Sequence, residues 1–312
     1  MKPYCAGIDV GGTTVKLGLF QTDGALLDKW EIPTDKAENG SKILPDIASS
    51  LKEKMKEKNI SVEDLEGAGI GVPGPVRENG TVPSCVNIGW GEMDVKKEME
   101  ALLAVPVSVG NDANVAALGE MWQGGAKGYE NVLLVTLGTG VGGGLIIRGH
   151  IVAGSHGAGA EIGHLTVDTS EEEACNCGRK GCLEYYASAT GAVRLAKRAM
   201  AKTNEPSSLR GKEDLTAKDV FDAAKAGDAL AVKVEAEYFD RLGFGLSIIS
   251  TVCDPDIIVL GGGVSKAGER LVQGVQEAFV RYAFHACKET RFALAKMGND
   301  AGIYGSAKMV LS

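Results

Sequence analysis

One structural unit occurs twice in this chain: a strand, a glycine turn and a second strand, followed by a helix and a buried strand. The first copy predicts strands at 4–10 and 14–20 on either side of a Gly-Gly pair. The second predicts strands at 132–137 and 145–152 around the glycine run 138–144. A supersecondary unit that recurs indicates a duplicated fold. We therefore predict an α/β protein of two similar domains with a cleft between them.

The length of 312 residues suits two domains of roughly 150 residues. We place a small α/β domain at 1–115, joined by a C-terminal helix at about 300–312, and a large domain at 116–299 that carries a cysteine-rich insert. The other predicted elements are strands at 25–32, 67–72, 105–109, 257–260 and 292–296, and helices at 41–58, from the strand at 105–109 to about 122, 185–201, 217–226, 230–252 and 267–284.

The charge balance limits the classes of partner. The chain has 33 Lys and Arg against 41 Asp and Glu, a net charge of −8. This argues against nucleic acid, which usually needs a basic face. It does not argue against a phosphorylated ligand, because glycine turns and metal ions bind phosphate without bulk positive charge. No apolar run approaches the roughly 18 residues of a membrane span, and the first residues lack a signal region, so we expect a cytoplasmic protein with no membrane partner.

The first glycine turn has the composition of a phosphate-binding turn. Glycines let the backbone approach phosphate oxygens, and the amides and hydroxyls that follow donate hydrogen bonds. The aspartate at the end of the preceding strand can hold a Mg²⁺ ion, directly or through water. A plain hairpin turn is the alternative. The candidate residues are Asp9, Gly11, Gly12, Thr13, Thr14 and Lys16.

The second glycine run formally matches the G-x-G-x-x-G pattern of dinucleotide-binding folds, which requires a helix directly after it. Leu145-Ile146-Ile147 follows here and predicts a strand, so we reject the dinucleotide interpretation. Glycine turns between two strands, one in each domain, suit a nucleotide held across a cleft instead. The candidate residues are Gly138, Thr139, Gly140, Val141 and Gly142.

Asn111 and Asp112 stand where a predicted strand becomes a helix. Asp at a helix start is most often a cap. The functional alternative is a general base, because a carboxylate at the C-terminal end of a strand faces the ligand crevice of an open α/β sheet.

The spacing of His164, Cys175, Cys177 and Cys182 predicts a Zn²⁺ site. One imidazole and three thiolates within 19 residues make a complete tetrahedral ligand set. Since a closed set has no open position, we expect the metal to be structural. An odd total of seven cysteines also fits a reducing compartment better than a disulfide framework.

Two glutamates flank the predicted zinc ligands. Glu161 comes three residues before His164, and Glu184 comes two residues after Cys182. A zinc loop that fixes both carboxylates would present them to a polyhydroxylated ligand. Ordinary surface glutamates are the alternative.

Taken together, these motifs resemble the ROK family of sugar kinases, and within it the bacterial glucokinases. The resemblance runs over nearly the whole chain. It rests on the two glycine turns, the Asn111-Asp112 pair, and two signature segments with no departure at the signature positions, Glu161-Ile162-Gly163-His164 and the stretch from Cys175 to Glu184. The run Gly261-Gly262-Gly263-Val264 resembles the turn on the adenosine side of the nucleotide.

The resemblance implies a duplicated actin-like, RNase H-like fold with ATP in the interdomain cleft. It implies that Asp112 accepts the proton of the sugar 6-hydroxyl as the hydroxyl attacks the γ-phosphorus, with Mg²⁺ on the phosphates. It places Gly262 and Gly263 beside the nucleotide. It implies a homodimer or homotetramer. The residues that it assigns to glucose or a related hexose are Asn111, Asp112, Glu161, His164 and Glu184.

Two alternatives stay open to different degrees. Within the kinases, the substrate can be acetylmannosamine, acetylglucosamine, fructose or allose, because the same hydroxyl-binding residues serve several hexoses. The other class is the sugar-responsive ROK repressor, which carries a DNA-binding helical domain before the first phosphate motif. Only eight residues precede Asp9 and the net charge is negative, so we expect a kinase.

Overall fold

The fold is described from a computed structural model, which covers residues 1–311; the last residue of the predicted C-terminal helix, Ser312, lies outside the described residues. The first sheet has five strands in the order β3-β2-β1-β4-β7. Strands β1 to β3 are antiparallel, and β1, β4 and β7 are parallel. The strands are β1 (Tyr4–Val10), β2 (Thr14–Gln21), β3 (Leu26–Pro33), β4 (Leu65–Val72) and β7 (Val107–Asn111).

The second sheet repeats this order with later strands, β10-β9-β8-β11-β12. Its strands β8, β11 and β12 are parallel, as β1, β4 and β7 are in the first sheet. The strands are β8 (Val132–Leu137), β9 (Val141–Ile147), β10 (His150–Ile151), β11 (Ile257–Gly261) and β12 (Arg291–Leu294). The two equal strand orders confirm the predicted α/β duplication.

Ten α-helices and a small hairpin lie between or after these strands within residues 1–311. The hairpin consists of β5 (Thr81–Val82) and β6 (Met93–Asp94). The helices are α1 (Ala37–Gly40, a single turn), α2 (Ile43–Glu57), α3 (Val95–Leu103), α4 (Asp112–Gln123), α5 (Leu183–Ala187), α6 (Ala189–Lys202), α7 (Ala217–Lys225), α8 (Ala229–Cys253), α9 (Glu269–Tyr282) and α10 (Ala301–Met309). No helix in the described part of the chain is long and apolar enough to cross a membrane.

Glycines in β1 and β4 let α10 lie directly on the first sheet. A methyl group on Gly7 would come within 1.8 Å of the Ile303 carbonyl oxygen, and one on Gly69 within 1.7 Å of the Ser306 carbonyl oxygen. The Ser306 hydroxyl donates a 2.7 Å hydrogen bond to the carbonyl of Ile8. The C-terminal helix is therefore fixed to β1, which carries Asp9 near its end, and to the neighbouring strand β4.

The chain forms two compact units. The first comprises Met1–Glu130, Gly144–Gly159 and 296–311, and the second comprises Asn131–Gly143 and Ala160–Ala295. Strand β9 begins in the second unit and ends in the first. The domain boundaries given above at 115 and 299 stay a prediction.

The glycine run 138–144 differs from its predicted form. The turn is short, and β9 begins at Val141, so three of its residues are glycines from the predicted turn. Glycine is needed at these strand positions because other backbone segments approach them closely. A methyl group on Gly143 would lie 2.4 Å from the Ala160 carbonyl oxygen, and one on Gly144 would lie 2.7 Å from that of Ala113.

Two helices also differ from the sequence prediction. The helix predicted at 185–201 is broken at Ser188, whose extended backbone ends α5 and caps α6 by accepting a hydrogen bond from the Gly191 amide. Helix α3 was absent from the prediction. Its start is fixed by Asp94, whose carboxylate accepts a 3.1 Å hydrogen bond from the Lys97 amide.

Candidate active site

The first phosphate turn lies in the first unit, between β1 and β2. The Gly11 amide donates to the Thr14 carbonyl at 3.0 Å, which closes the turn. The loop after β3 is tied to it, because the Thr34 amide donates to Thr13 and the Thr34 hydroxyl donates to the Gly11 carbonyl at 2.7 Å. Lys16 lies opposite Asp9 in the ladder, and its ammonium donates to the Asn299 carbonyl at 2.9 Å.

Asp9 and Asp112 are electrostatically coupled at the ends of β1 and β7. Burial, together with the negative charge of Asp112, raises the pKa of Asp9 from 3.8 to about 6, and Lys16 partly opposes the rise. Desolvation by the surrounding protein also raises the pKa of Asp112, although its side chain is accessible to solvent. Two acidic groups that are costly to ionise together favour binding of a cation beside them.

Asn111 caps α4 and orients Asp112. Its amide nitrogen donates to the Gly74 carbonyl and to Asp112 Oδ1, both at 3.0 Å. Its carbonyl oxygen accepts from the amides of Ala113 and Asn114. All four hydrogen-bonding positions of this side chain are thus used, so a sugar contact would have to replace one of them. Among the described residues the hydrogen bonds of Asp112 fall on Oδ1, which leaves Oδ2 available to accept a proton.

A cavity of about 1070 Å³ in the first unit adjoins Asn111. Its volume is at the upper end for small-molecule sites. Asn114, one helical turn after Asn111, also lines it and is 3 % exposed, with a buried Oδ1 that has no partner within residues 1–311. Asn114 is not among the predicted site residues. Its position three residues after Asn111, on the same face of α4, is the sequence pattern that could have indicated it. The remaining lining comes mainly from the segments 75–79 and 151–157.

The second phosphate turn lies in the second unit, between β8 and β9. The Gly138 amide donates to the Gly140 carbonyl at 3.0 Å, and the Gly138 carbonyl accepts from the first amide of α6 at 2.8 Å. Thr190 of α6 donates its hydroxyl proton to the Thr139 carbonyl at 2.8 Å. The turn therefore stands at the N-terminus of a 14-residue helix, an arrangement that favours an anion.

Gly262 and Gly263 follow β11, and Gly262 adjoins the same turn. Gly262 has a φ of +82°, which favours glycine. A methyl group there would lie 2.6 Å from the backbone of Leu137, the residue before Gly138. Gly142 is equally close to β8, since its methyl group would meet the Thr136 hydroxyl at 2.6 Å. The structure thus brings the predicted second phosphate turn and the predicted adenosine-side turn together.

The four predicted zinc ligands converge in the second unit. The donor atoms of His164, Cys175, Cys177 and Cys182 all lie within 4.8 Å of one another. The sulfurs of Cys177 and Cys182 are 3.7 Å apart, and two Zn–S bonds of about 2.3 Å in a tetrahedron require about 3.8 Å. Nδ1 of His164 is buried without a hydrogen-bond partner among the described residues. An orphaned imidazole nitrogen beside three thiols fits a zinc ion.

Glu184 joins this ligand set to the second phosphate turn. One carboxylate oxygen lies 2.9 Å from the Cys175 sulfur and 3.7 Å from His164 Nδ1. The other accepts a long, 3.4 Å hydrogen bond from the Val141 amide. Glu161 is exposed and begins the short 3-10 helix that ends at His164, so the two residues share one turn.

The fold and the site define a class: a duplicated α/β protein with a glycine-rich turn in each unit and a convergent set of one histidine and three cysteines. The chain belongs to the ROK family, whose family model matches residues 5–312. It is 44% identical to a glucokinase from Halalkalibacterium halodurans, over 98% of this chain and 94% of that protein.

Two solved structures show the same fold. A ROK hexokinase from Thermus thermophilus has a TM-score of 0.81 and 32% identity, over 97% of this chain and 96% of that one. A ROK glucokinase from Streptomyces griseus, in complex with glucose and AMPPNP, has a TM-score of 0.72 and 32% identity, over 98% of both chains. The chain therefore has the actin-like two-domain fold of these kinases.

Proposed function

We propose that this protein is an ATP-dependent hexose kinase that transfers the γ-phosphoryl group of ATP to the 6-hydroxyl of glucose. The observation that carries the proposal is the carboxylate of Asp112, oriented through Oδ1 with Oδ2 left available, beside a phosphate turn of the same unit. The glucokinase relatives and the complex with glucose and AMPPNP support the choice of substrates.

In the proposed reaction, Asp112 Oδ2 accepts the proton of the sugar 6-hydroxyl as the oxygen attacks the γ-phosphorus and the bond to ADP breaks. The raised pKa of Asp112 makes it a better base than a fully solvated aspartate. Asn111 keeps Oδ1 in place through its amide. The amides and hydroxyls of the two glycine turns would bind the phosphate oxygens, with Gly262 and Gly263 beside the adenosine.

Asp9 would hold Mg²⁺, directly or through water, and the ion supplies positive charge that offsets the charge developing on the transferred phosphoryl group. Its raised pKa supports this role, because a nearby cation would restore its ionised form. Lys16 would contribute to the same field.

Glu161, His164 and Glu184 would bind sugar hydroxyls. His164 can do so through Nε2, because Nδ1 is the buried nitrogen that faces the metal set. Zinc held by His164 and the three cysteines would fix the loop that carries Glu184 and supply no chemistry to the reaction, since four protein ligands fill its coordination.

A second candidate is phosphorylation of an N-acetylhexosamine. The cavity beside Asn111 favours it, since about 1070 Å³ next to the 151–157 segment exceeds what a single hexose ring requires. An N-acetylgalactosamine kinase from a Shewanella species, 32% identical, is among the relatives.

The decisive experiment is ADP release with MgATP and glucose, 2-deoxyglucose, acetylglucosamine or acetylmannosamine under identical conditions. Glucose should give the highest kcat/KM, with 2-deoxyglucose lower because a buried acceptor loses its donor. If an acetylated sugar gives the highest kcat/KM, the second candidate function replaces phosphorylation of glucose. No sugar-dependent ADP release with any hexose would contradict the kinase itself.

A further inference from the structure

A lysine outside the glycine motifs reaches the first phosphate turn. A methyl group built on Gly12 would lie 3.7 Å from the Lys36 ammonium nitrogen and 3.8 Å from the Asn87 carbonyl oxygen. Lys36 follows β3 and is 24 positions away from Gly12 in the chain. Its ammonium group therefore stands beside Gly12 of the first glycine turn.

The backbone on both sides of Lys36 is fixed. Before it, Thr34 bonds to the turn through its amide and hydroxyl. Next to it, Asp35 accepts a 2.9 Å hydrogen bond from the Ala37 amide. After it, the Gly40 carbonyl accepts a 3.1 Å hydrogen bond from the buried indole of Trp90. The loop thus holds the backbone of Lys36 beside the turn.

Lys36 also differs in its contacts from Lys16, the lysine of the first glycine motif. Within residues 1–311 its ammonium forms no hydrogen bond or ion pair, whereas Lys16 donates to the Asn299 carbonyl at 2.9 Å. An ammonium is a compact positive charge that binds phosphate well. In a chain of net charge −8, an unpaired cation at a phosphate turn has a clear electrostatic use.

We propose that Lys36 is a phosphate-contacting residue of the donor site: its ammonium donates hydrogen bonds to the terminal phosphate of the nucleoside triphosphate bound at Gly11 and Gly12. The inference rests on the proposed function for the presence of that nucleotide. It adds a residue that lies outside both glycine motifs and selects for the triphosphate over nucleotides with fewer phosphates.

The test compares Lys36→Met and Lys36→Arg with Lys42→Met, an exposed lysine six positions later at the start of α2. Binding of AMPPNP, ADP and adenosine is measured by calorimetry with Mg²⁺, and KM is measured for ATP and for glucose. Lys36→Met should weaken AMPPNP binding and raise the KM for ATP by about tenfold or more, the effect of one lost charge-assisted contact. Adenosine affinity and the KM for glucose should stay unchanged, Lys36→Arg should recover part of the loss, and Lys42→Met should match the wild type.

Equal AMPPNP affinity in Lys36→Met and Lys42→Met would overturn the proposal, as would a parallel loss of adenosine affinity, which indicates a distorted loop. The calorimetric comparison needs no sugar, so it separates this proposal from the proposed function. Wild-type protein that binds AMPPNP but releases no ADP with any hexose would contradict the kinase alone.

Discussion

At the scale of single residues, the site depends on how each polar group is already engaged. All four hydrogen-bonding positions of the Asn111 side chain are used by Gly74, α4 and Asp112, so we expect Asn111 to act through the carboxylate next to it. Lys16 is tied to a backbone carbonyl, while Lys36 is not. The residue types at these positions can be read from the sequence, but the hydrogen bonds to Gly74 and Asn299 cannot, because these two partners lie far away in the chain.

Asp9 makes the stability of the nucleotide-free protein depend on pH. Because its folded-state pKa is about 6 against 3.8 for an unperturbed group, the folded chain holds this proton to a higher pH than the unfolded chain. Stability is therefore lost as pH rises from about 4 to 6, by up to about 3 kcal/mol. Asp9→Asn removes the charge and should melt higher than the wild type at pH 7.5 without Mg²⁺ and nucleotide, with the difference vanishing below pH 4.

The same variant should lose activity, because Asn is a poor Mg²⁺ ligand. Melting curves across pH 3.5–8 would measure the first effect. A wild-type protein that stabilises steadily between pH 4 and 6, with no gain in the variant, would contradict the raised pKa.

Substitutions at Gly138 and Gly140 should affect the binding of different substrates. A methyl group at Gly138 meets no atom within 4 Å, so Gly138→Ala should fold normally and intrude only on the phosphate. A methyl group at Gly140 would lie 2.6 Å from Glu184 Oε2 and displace that carboxylate. Gly138→Ala should raise the KM for ATP on the order of tenfold, about 1.4 kcal/mol of binding, while Gly140→Ala should raise the KM for glucose more than that for ATP.

Steady-state kinetics with each substrate varied in turn would measure both values. Identical profiles for the two variants would show that Glu184 plays no separate part in sugar binding.

At the scale of elements, the repeated unit allowed the duplication and most of the strands of both halves to be anticipated, because glycine turns between apolar strands are local signals. The candidate zinc ligands could also be predicted from the sequence, since three of the four lie within eight residues. The break at Ser188 could not be predicted, because the flanking sequence favours helix on both sides and the cap depends on one side-chain hydrogen bond. The link from Glu184 to the Val141 amide joins positions 43 residues apart and required the folded structure.

The cysteine-rich loop should depend on metal. We expect one zinc per chain, and Cys177→Ser should lower zinc content, activity and melting temperature together, the last by about 5 °C or more. The control is Cys253→Ser, a thiol outside the ligand set, which should keep the zinc. Metal analysis that finds no zinc in protein purified under reducing conditions would refute the site.

At the scale of the whole molecule, the two sheets share one strand order but carry different tasks. The first unit carries Asp9, the first predicted phosphate turn and the Asn111-Asp112 pair, while the second carries the predicted zinc ligands, Glu184 and the second predicted phosphate turn. The division of labour between the copies could be anticipated from the motifs. The C-terminal helix is predicted from the sequence to join the small domain, but the direct packing of α10 onto β1 and β4 could not be anticipated, because it depends on close backbone contacts at Gly7 and Gly69.

The proposed reaction requires one carboxylate, that of Asp112, to take the proton of the sugar hydroxyl. The most direct measurement is glucose-dependent ADP release by Asp112→Asn beside Asp94→Asn, which changes another aspartate at a helix start and keeps its capping oxygen. Asp112→Asn should lose about 10²- to 10⁴-fold in kcat, with melting temperature and AMPPNP affinity near those of the wild type, and Asp94→Asn should be fully active. A wild-type kcat in Asp112→Asn would contradict the account.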